Sequence, residues 1–178
     1  MARYSQRTIQ GLLEQSDNAA TDDEKGEKLE LLARYLFEKI KGISFYDKNI
    51  LDGSRAHELD VVFWNLQNQS PLPFLDPAII VECKNTGRPV GSNAVGWFVR
   101  KLQDRGGNHG ILIARSGITG ARGRTSNAHS EVLNAMMRDR IKILLVTRAD
   151  ITTLTTTDDL VSLLREKYMQ LTVRRTVM

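Results

Sequence analysis

The sequence predicts an α/β fold in which a mixed β-sheet is flanked by helices on both sides. Three observations support this prediction. A strongly periodic helical pattern at 22–41 comes before the long strand patterns. Strand patterns at 57–65 and 78–84 then follow with only a proline-bearing loop between them, as in antiparallel neighbours. Finally, apolar strands at 110–114 and 141–147 alternate with helices, the order expected of strands joined by right-handed crossovers.

The first part of the chain divides into a polar segment and a helix. Residues 1–22 are polar and weakly periodic, so they predict a short helix and a loop ahead of a single domain that spans 23–178. Over 22–41, acidic residues come early, lysines come late, and apolar residues recur at helical spacing. Gly42 is expected to end this helix.

The elements around the two charged strands follow from turn residues and caps. A short strand is expected at 43–46, and a turn at 52–54 leads to the first charged strand. After the second charged strand, either Ser92 or Asn93 is expected to cap a helix that runs to about Asp104.

The C-terminal half continues the alternation of strands and helices. The strand at 110–114 is apolar without alternation, so we expect it to be buried on both faces. A loop and a helix are expected over 119–140. Asp150 and Asp158 each suit the start of a short helix, and the last of these should end near Leu171.

The composition excludes several classes of protein. With 178 residues, the chain is long enough to bury a core and short enough to form one domain. A single cysteine, Cys83, excludes an intramolecular disulfide, and the three histidines lack the spacing of zinc ligands. The use of one cysteine suits a reducing, cytoplasmic setting. No apolar run has membrane-spanning length, so we expect no membrane contact. The net charge of +4 permits nucleic-acid binding without requiring it.

The two charged strands carry ionisable residues among β-branched and aromatic ones. Because alternate residues of a strand point to the same side, Glu58 shares a face with Asp60, and Glu82 shares a face with Lys84. Buried charges are costly unless a partner or a metal ion compensates them. Two carboxylates and a lysine that converge between neighbouring strands would form a divalent-metal site suited to phosphodiester hydrolysis.

The order of these motifs matches a known family. Glu30 lies on the first helix, Asp60 lies in the first charged strand, and Glu82-Cys83-Lys84 ends the second. An apolar strand and a small-residue turn follow at 110–119. In this arrangement the chain resembles the PD-(D/E)xK nuclease superfamily, which has the restriction-endonuclease-like fold, and it is nearest to the Mrr-like branch. The resemblance covers about residues 24–148.

The resemblance implies a Mg²⁺ site, at which Mn²⁺ would substitute, and gives roles to the matching residues. Asp60 and Glu82 would bind the ion, and the carbonyl oxygen of Cys83 would add a backbone ligand. Lys84 would orient or help to deprotonate the attacking water, or offset charge on the reacting phosphate. Glu30 would bind a second ion or hold a metal-bound water.

Simpler interpretations stay open for the same residues. Glu82 and Lys84 could form an ion pair on an exposed face of the sheet. Glu24 and Glu27 are alternatives to Glu30, because an amphipathic helix carries many solvated glutamates. The thiol of the only cysteine is expected to point away from the ion and into the core.

Polar and basic residues that follow the lysine of this motif predict the surface that contacts nucleic acid. Glycine-bearing loops and the helix after residue 92 supply them, and phosphate contacts of this kind give affinity without sequence choice. The predicted contacts are Asn85, Arg88, Lys101, Gln103, Arg122 and Arg124. Each arginine could equally be an ordinary solvated loop residue. Trp64 and Trp97 are expected in the core or in a subunit contact.

Together with the resemblance, these motifs predict a Mg²⁺-dependent DNA endonuclease that hydrolyses phosphodiester bonds. The implied setting is restriction of foreign DNA, a form of defence, or DNA repair. The alternatives are a Holliday-junction resolvase or an RNase on the same fold, and a catalytically inactive nucleic-acid-binding module. Cutting both strands would suit a homodimer, and target recognition would suit a partner subunit or domain.

Overall fold

The computed structural model describes residues 1–51, 58–120 and 128–177. Within these residues, a five-stranded sheet has the order β1-β2-β3-β4-β5. The strands are β1 (Ile43–Leu51), β2 (Glu58–Asn65), β3 (Ala78–Lys84), β4 (His109–Ala114) and β5 (Lys142–Thr147). β1, β2 and β3 are antiparallel neighbours, whereas β3, β4 and β5 run parallel. The predicted mixed sheet is confirmed.

Helices cover both faces of this sheet, as predicted. In the described part of the chain, the α-helices are α1 (Gln6–Asn18), α2 (Asp22–Phe37), α3 (Ser92–Gln103), α4 (Ala128–Asn134), α5 (Arg148–Thr153) and α6 (Thr157–Met169). π-helical turns at 135–139 and 170–174 extend α4 and α6. α1, α2, α5 and α6 pack on one face around Phe37 and Phe63, while α3 and α4 pack on the other face around Phe98. None of the described helices has the length and apolar character needed to cross a bilayer.

β2 and β3 separate from each other at the end where their charged residues lie. Their antiparallel ladder ends at the pair formed by Val61 and Val81. Asp60 and Glu82 lie just beyond this last pair, while β3 continues to pair with β4 as far as Lys84. The sheet is therefore open between β2 and β3 at this end, which leaves room for the side chains of both acids.

α3 lies close to β4 because Gly110 has no side chain. A Cβ atom at Gly110 would lie 2.6 Å from side-chain atoms of Phe98 and Leu102, which is closer than any stable contact. Phe98 and Leu102 are fully buried and anchor the second half of α3 on the sheet. This packing brings the last turn of α3 beside the end of β3.

α1 is part of the same core as the rest of its layer. Ile9 and Leu13 are buried against α2, and the hydroxyl of Tyr4 donates a hydrogen bond of 2.7 Å to the carbonyl oxygen of Leu36. The short helix predicted within 1–22 is present and ends only a few residues before α2. The C-terminal end of α1 consequently reaches the same edge of the sheet as the charged residues of β3.

Two boundaries near β1 differ from the prediction for local reasons. β1 is longer than 43–46, because an irregularity after Phe45 lets it keep pairing with β2 as far as Leu51. α2 ends at Phe37, before the expected Lys41. Gly42 then adopts a φ of +79°, and a Cβ atom there would lie 2.8 Å from the backbone nitrogen of Ser70. The predicted turn at 52–54 lies outside the described residues.

Helix starts also differ from the prediction. Neither Ser92 nor Asn93 caps α3, because Gly91 is its N-cap residue and makes no side-chain hydrogen bond. α5 and α6 begin after Thr147 and Thr156, each of which forms a capping box with the aspartate three residues later. The aspartates of these segments thus lie inside the first helical turn, where their charge complements the helix dipole.

Candidate active site

Asp60 is fixed at the point where β2 and β3 separate. Its Oδ2 atom accepts a hydrogen bond of 2.7 Å from the backbone N–H of Cys83. The carboxylate thus accepts from a backbone donor of β3 beyond the last ladder pair between the two strands. Because the bond joins the two charged strands, Asp60 is held beside the Glu82-Cys83-Lys84 motif.

Glu82 is buried and carries two lysine partners. The residue is only 3% exposed. Its Oε1 atom lies 2.8 Å from Nζ of Lys84. Lys101, from the last turn of α3, donates to both carboxylate oxygens at 2.9 and 2.7 Å. A carboxylate with two ammonium partners is a stable arrangement for a charge away from water. The interpretation of Glu82 and Lys84 as an exposed surface ion pair is therefore wrong.

Lys101 was predicted from the sequence as a nucleic-acid contact, and its link to Glu82 was not anticipated. A signal for the link exists in the helical pattern. The apolar face of α3 includes Phe98 and Leu102. Lys101 directly precedes Leu102 and lies at the edge of the face that packs on the sheet. A lysine beside the buried stripe of an amphipathic helix needs a partner or a route to solvent.

Burial and neighbouring charges shift the pKa values of two groups at this site. Burial raises the pKa of Asp60, and the negative charge of Glu82 raises it further. Burial acts to lower the pKa of Lys84, but the carboxylates of Glu82 and Asp60 outweigh burial, so this pKa is raised. Lys84 therefore carries a positive charge at neutral pH.

Glu30 reaches the same place from α2. Its residue is 9% exposed, and its Oε2 atom is buried without a hydrogen-bond partner among the described residues. Nζ of Lys48 lies 3.7 Å from this oxygen, beyond hydrogen-bond range. Burial and the nearby charge of Asp60 raise the pKa of Glu30. Glu24 does not take this place, because its carboxylate accepts hydrogen bonds from the backbone N–H groups of Ala20 and Thr21 at the start of α2.

Glu30 and Asp60 line one cavity of about 490 Å³, which we call the acid cavity, whereas Glu82 does not border it. Lys84 and Cys83 also contribute to its wall. Six acidic residues of the described chain contribute to its wall: Asp22, Asp23, Glu27, Glu30, Glu58 and Asp60. The sequence prediction that acids of α2 and β2 meet the end of β3 corresponds to this arrangement.

The donor set of the acid cavity suits a hard divalent cation. Among the described residues, no three histidine, cysteine or acidic side chains are already arranged as a complete metal site. The buried Glu30 oxygen that lacks a hydrogen-bond partner, with Asp60 beside it, is nevertheless the kind of acceptor that Mg²⁺ or Mn²⁺ binds. The Cys83 thiol is buried, and burial together with Asp60 raises its pKa well above the ordinary value, so it stays protonated. A soft thiolate ligand is thus not offered.

The structure separates the predicted nucleic-acid contacts. The Nδ2 group of Asn85 donates to the backbone oxygen and to Oγ of Ser16, at 2.9 and 2.6 Å. Arg88 is exposed in the loop after β3. Gln103 lines a different cavity with Trp97, on the side of α3 away from Lys101. The remaining two predictions, Arg122 and Arg124, lie outside the described residues.

The tryptophans do not belong to the core. Trp64 is 48% exposed on β2, and Trp97 is 54% exposed on α3. The expectation that they are core residues is wrong, and the subunit-contact alternative stays a prediction.

The chain matches one family model over residues 21–155, and this model, Mrr_cat, is described as a restriction endonuclease. Neither a curated protein nor a solved structure matches the chain significantly. The matched range begins just before α2 and ends after α5, so it contains Glu30, Asp60, Glu82 and Lys84. α1 lies outside the matched range.

Proposed function

The chain belongs to the Mrr_cat family of restriction endonucleases and is a nuclease of the restriction-endonuclease-like fold, and from this premise we propose that it is a Mg²⁺-dependent DNA endonuclease. One observation carries the proposal beyond the family. The buried Oε2 atom of Glu30, which has an ion pair with Lys48 but no hydrogen-bond partner among the described residues, lies in the same cavity as Asp60 and Lys84. A carboxylate oxygen that lacks a hydrogen-bond donor, next to a fixed ammonium group, suits a cation and a phosphate bound side by side.

The residues that would hold the cation are Asp60, Glu82, the carbonyl group of Cys83 and, for a second ion or its water, Glu30. A divalent cation bound there would supply a polarised phosphate oxygen and a water of lowered pKa. Mn²⁺ is expected to substitute, because both ions take oxygen ligands.

Lys84 would act as a positively charged donor in this reaction. Its raised pKa makes it a poor proton acceptor at neutral pH, so it would orient the attacking water or offset charge that develops on the phosphate. Lys101 would hold the Glu82 side chain in one orientation through its two hydrogen bonds. The product of this hydrolysis would carry a 5′-phosphate, as is usual for the family resembled.

The biological setting is part of the proposal. Family membership supports restriction of foreign DNA, and the single cysteine suits the cytoplasm. The nuclease domain would comprise 23–178, with the segment 1–22 completing its core through α1. Double-strand cutting would be achieved by a homodimer, and target choice by a partner subunit or domain. The rival functions, a junction resolvase, an RNase or an inactive binding module, are outcomes of the experiment below.

The test is a cleavage assay with wild type, Glu82→Ala and the control Glu14→Ala, whose exposed carboxylate lies on α1. Supercoiled plasmid, single-stranded DNA, a four-way junction and RNA are incubated with Mg²⁺, Mn²⁺ or EDTA. We expect metal-dependent nicking of the plasmid by wild type and Glu14→Ala, and none by Glu82→Ala. Preference for the junction or for RNA would favour the corresponding rival. Nucleic-acid binding without cleavage under every condition would favour the inactive module.

A further inference from the structure

A second cavity adjoins the acid cavity at Lys84 and has the opposite charge. Its volume is about 520 Å³, and its wall includes four cationic side chains, which are Lys25, Lys84, Arg88 and Arg115. Two acids, Asp17 and Asp22, also border it. We call it the basic cavity. A ligand that reaches Lys84 from the acid cavity would extend into this space.

Arg115 is fixed in the wall of the basic cavity from two directions. Its backbone N–H donates a hydrogen bond of 3.0 Å to the carbonyl oxygen of Lys84, since β3 and β4 are parallel neighbours. Its Nε group lies 3.1 Å from Oδ1 of Asp17 at the end of α1. The other carboxylate oxygen of Asp17 accepts from Arg148. The Arg115 side chain is thus held at a defined position relative to Lys84.

α1 also holds the residue after Lys84. Ser16 is 1% exposed, accepts from the amide of Asn85 and donates to the carbonyl oxygen of Lys25. Ser16 and Asp17 therefore fix both flanks of the basic cavity, although they precede the residues that match the family model. This part of the site is a property of the chain rather than of the matched family region.

The chemistry of Arg115 suits a phosphodiester. A guanidinium group has five N–H donors in a planar fork, and the contact with Asp17 uses the Nε group. The side chain keeps 35% of its surface accessible, so it can meet a ligand that enters the cavity. Cationic side chains outnumber acidic ones on the wall, four to two. Lys25 is paired with Asp22 and Arg115 with Asp17, so Lys84 and Arg88 supply the excess positive charge that favours an anion.

We propose that the basic cavity binds a backbone phosphate of the cleaved strand, next to the phosphate that reacts at Lys84, through Arg115 positioned by Asp17. This inference rests on the proposed nuclease function. Lys25 and Arg88 would contribute charge to the same subsite. Asp17 is a positioning residue here. The ligand is a nucleic-acid strand, which the cavity contacts through its sugar-phosphate backbone.

A purely structural or purely electrostatic role for Asp17 predicts a different result. If Asp17 only offsets positive charge, Asp17→Asn makes the cavity more positive and tightens nucleic-acid binding. If Asp17 positions Arg115, the same substitution weakens binding despite the added charge. The sign of the change in Kd therefore separates the two roles.

The experiment measures Kd of a labelled DNA duplex in Ca²⁺ at several salt concentrations, for wild type, Arg115→Ala, Arg115→Lys, Asp17→Asn and the control Arg165→Ala. We expect Arg115→Ala to raise Kd about tenfold and to reduce the salt slope by about one. Arg115→Lys should keep the slope with an intermediate Kd, and Asp17→Asn should raise Kd about threefold. Arg165 is exposed on α6 and does not line the basic cavity, so its replacement should leave Kd unchanged.

A duplex with one uncharged methylphosphonate linkage locates the contact. Moving this linkage along the strand should weaken wild-type binding at one position near the cleavage site, and Arg115→Ala should not respond there. An unchanged Kd and slope for Arg115→Ala, or tighter binding by Asp17→Asn, would overturn the inference. Thermal melting of every variant shows that it is folded, and Arg115→Lys replaces Arg115→Ala if the latter is not. Cleavage lost in Glu82→Ala with normal binding by Arg115→Ala would leave the nuclease function intact and refute only the subsite.

Discussion

The acid cavity and the basic cavity meet at Lys84 but are built in different ways. The acid cavity takes its central groups from regular elements, with Glu30 on α2 and Asp60 on β2. The basic cavity depends on the loop after β3 and on Asp17, which comes from α1. The charges of the acid cavity are held by the sheet and by the helix packed on it, whereas the charges of the basic cavity are held by contacts between distant parts of the chain. The comparison indicates that chemistry and strand binding are separable in this protein.

The strongest way to test this separation is to remove Lys84. Lys84→Ala should lower kcat about 10²- to 10³-fold, because a fixed charge beside the reacting phosphate is lost. Binding of Mg²⁺, followed by calorimetry, should persist, whereas Asp60→Ala should lose both metal binding and cleavage. Lys41→Ala, a replacement of an exposed lysine beyond the end of α2, is the control. Normal cleavage by Lys84→Ala would mean that the site is assigned wrongly.

Lys101 should behave as a support for the acid cavity rather than as a reacting group. Lys101→Met leaves Glu82 with one ammonium partner, so the free energy of unfolding should fall by about 1–3 kcal/mol. The loss of kcat should be smaller than for Lys84→Ala. Chemical denaturation and single-turnover cleavage measure the two effects. A drop in kcat as large as that of Lys84→Ala, without a loss of stability, would instead make Lys101 a catalytic group.

The acid cavity should also make stability depend on pH. The pKa values of Glu30 and Asp60 are raised in the folded chain, by burial and by neighbouring carboxylates, so the folded state binds more protons than the unfolded state. Their contribution to the free energy of unfolding therefore falls as the pH rises from about 4 through the raised pKa values. Glu30→Gln should flatten this dependence, as should saturating Mg²⁺. Urea denaturation across this pH range compares the variant with wild type, and identical slopes would contradict the prediction.

The smallest expected effect comes from removing a helix cap that supports both cavities. Thr21 caps α2, which carries both Lys25 and Glu30, and Thr21→Ala should cost about 1 kcal/mol of stability. Because α2 contributes to both cavities, metal affinity and DNA affinity should weaken together by less than about threefold. Thr156→Ala removes the equivalent cap of α6 and should cost similar stability without changing either affinity. Melting temperatures and the two binding constants check this pair.

The sequence could predict which acids lie near the end of β3 because their signals are local. Strand alternation puts Asp60 and Glu82 at the ends of buried strands, and the helical period puts Glu30 on the side of α2 that faces the sheet. Each of these residues is an acid among apolar neighbours, and this combination is visible in a short stretch of sequence. The mixed sheet with helices on both faces followed from the same periodicity.

The parts that the sequence did not predict depend on long-range contacts. Asp17 is separated from Arg115 and Arg148 by most of the chain, and Lys101 meets Glu82 only because Gly110 allows α3 to approach β4. A local pattern shows at most that Lys101 needs a partner, and none identifies Glu82 as that partner. Helix caps were misassigned because several polar residues compete at each helix start, and the backbone conformation decides among them.

The lysine partners of Glu82 mean that the chain supplies its own counter-ions. In small zinc domains the metal is needed for folding, so a chelator unfolds the protein. Here two ammonium groups already compensate the buried carboxylate, and the chain can reach its final shape before any metal arrives. Folding and metal binding would then be separate events, so that a newly made molecule is folded but inactive until it binds metal. A chelator would remove the activity of such a protein without unfolding it, and added metal would restore the activity.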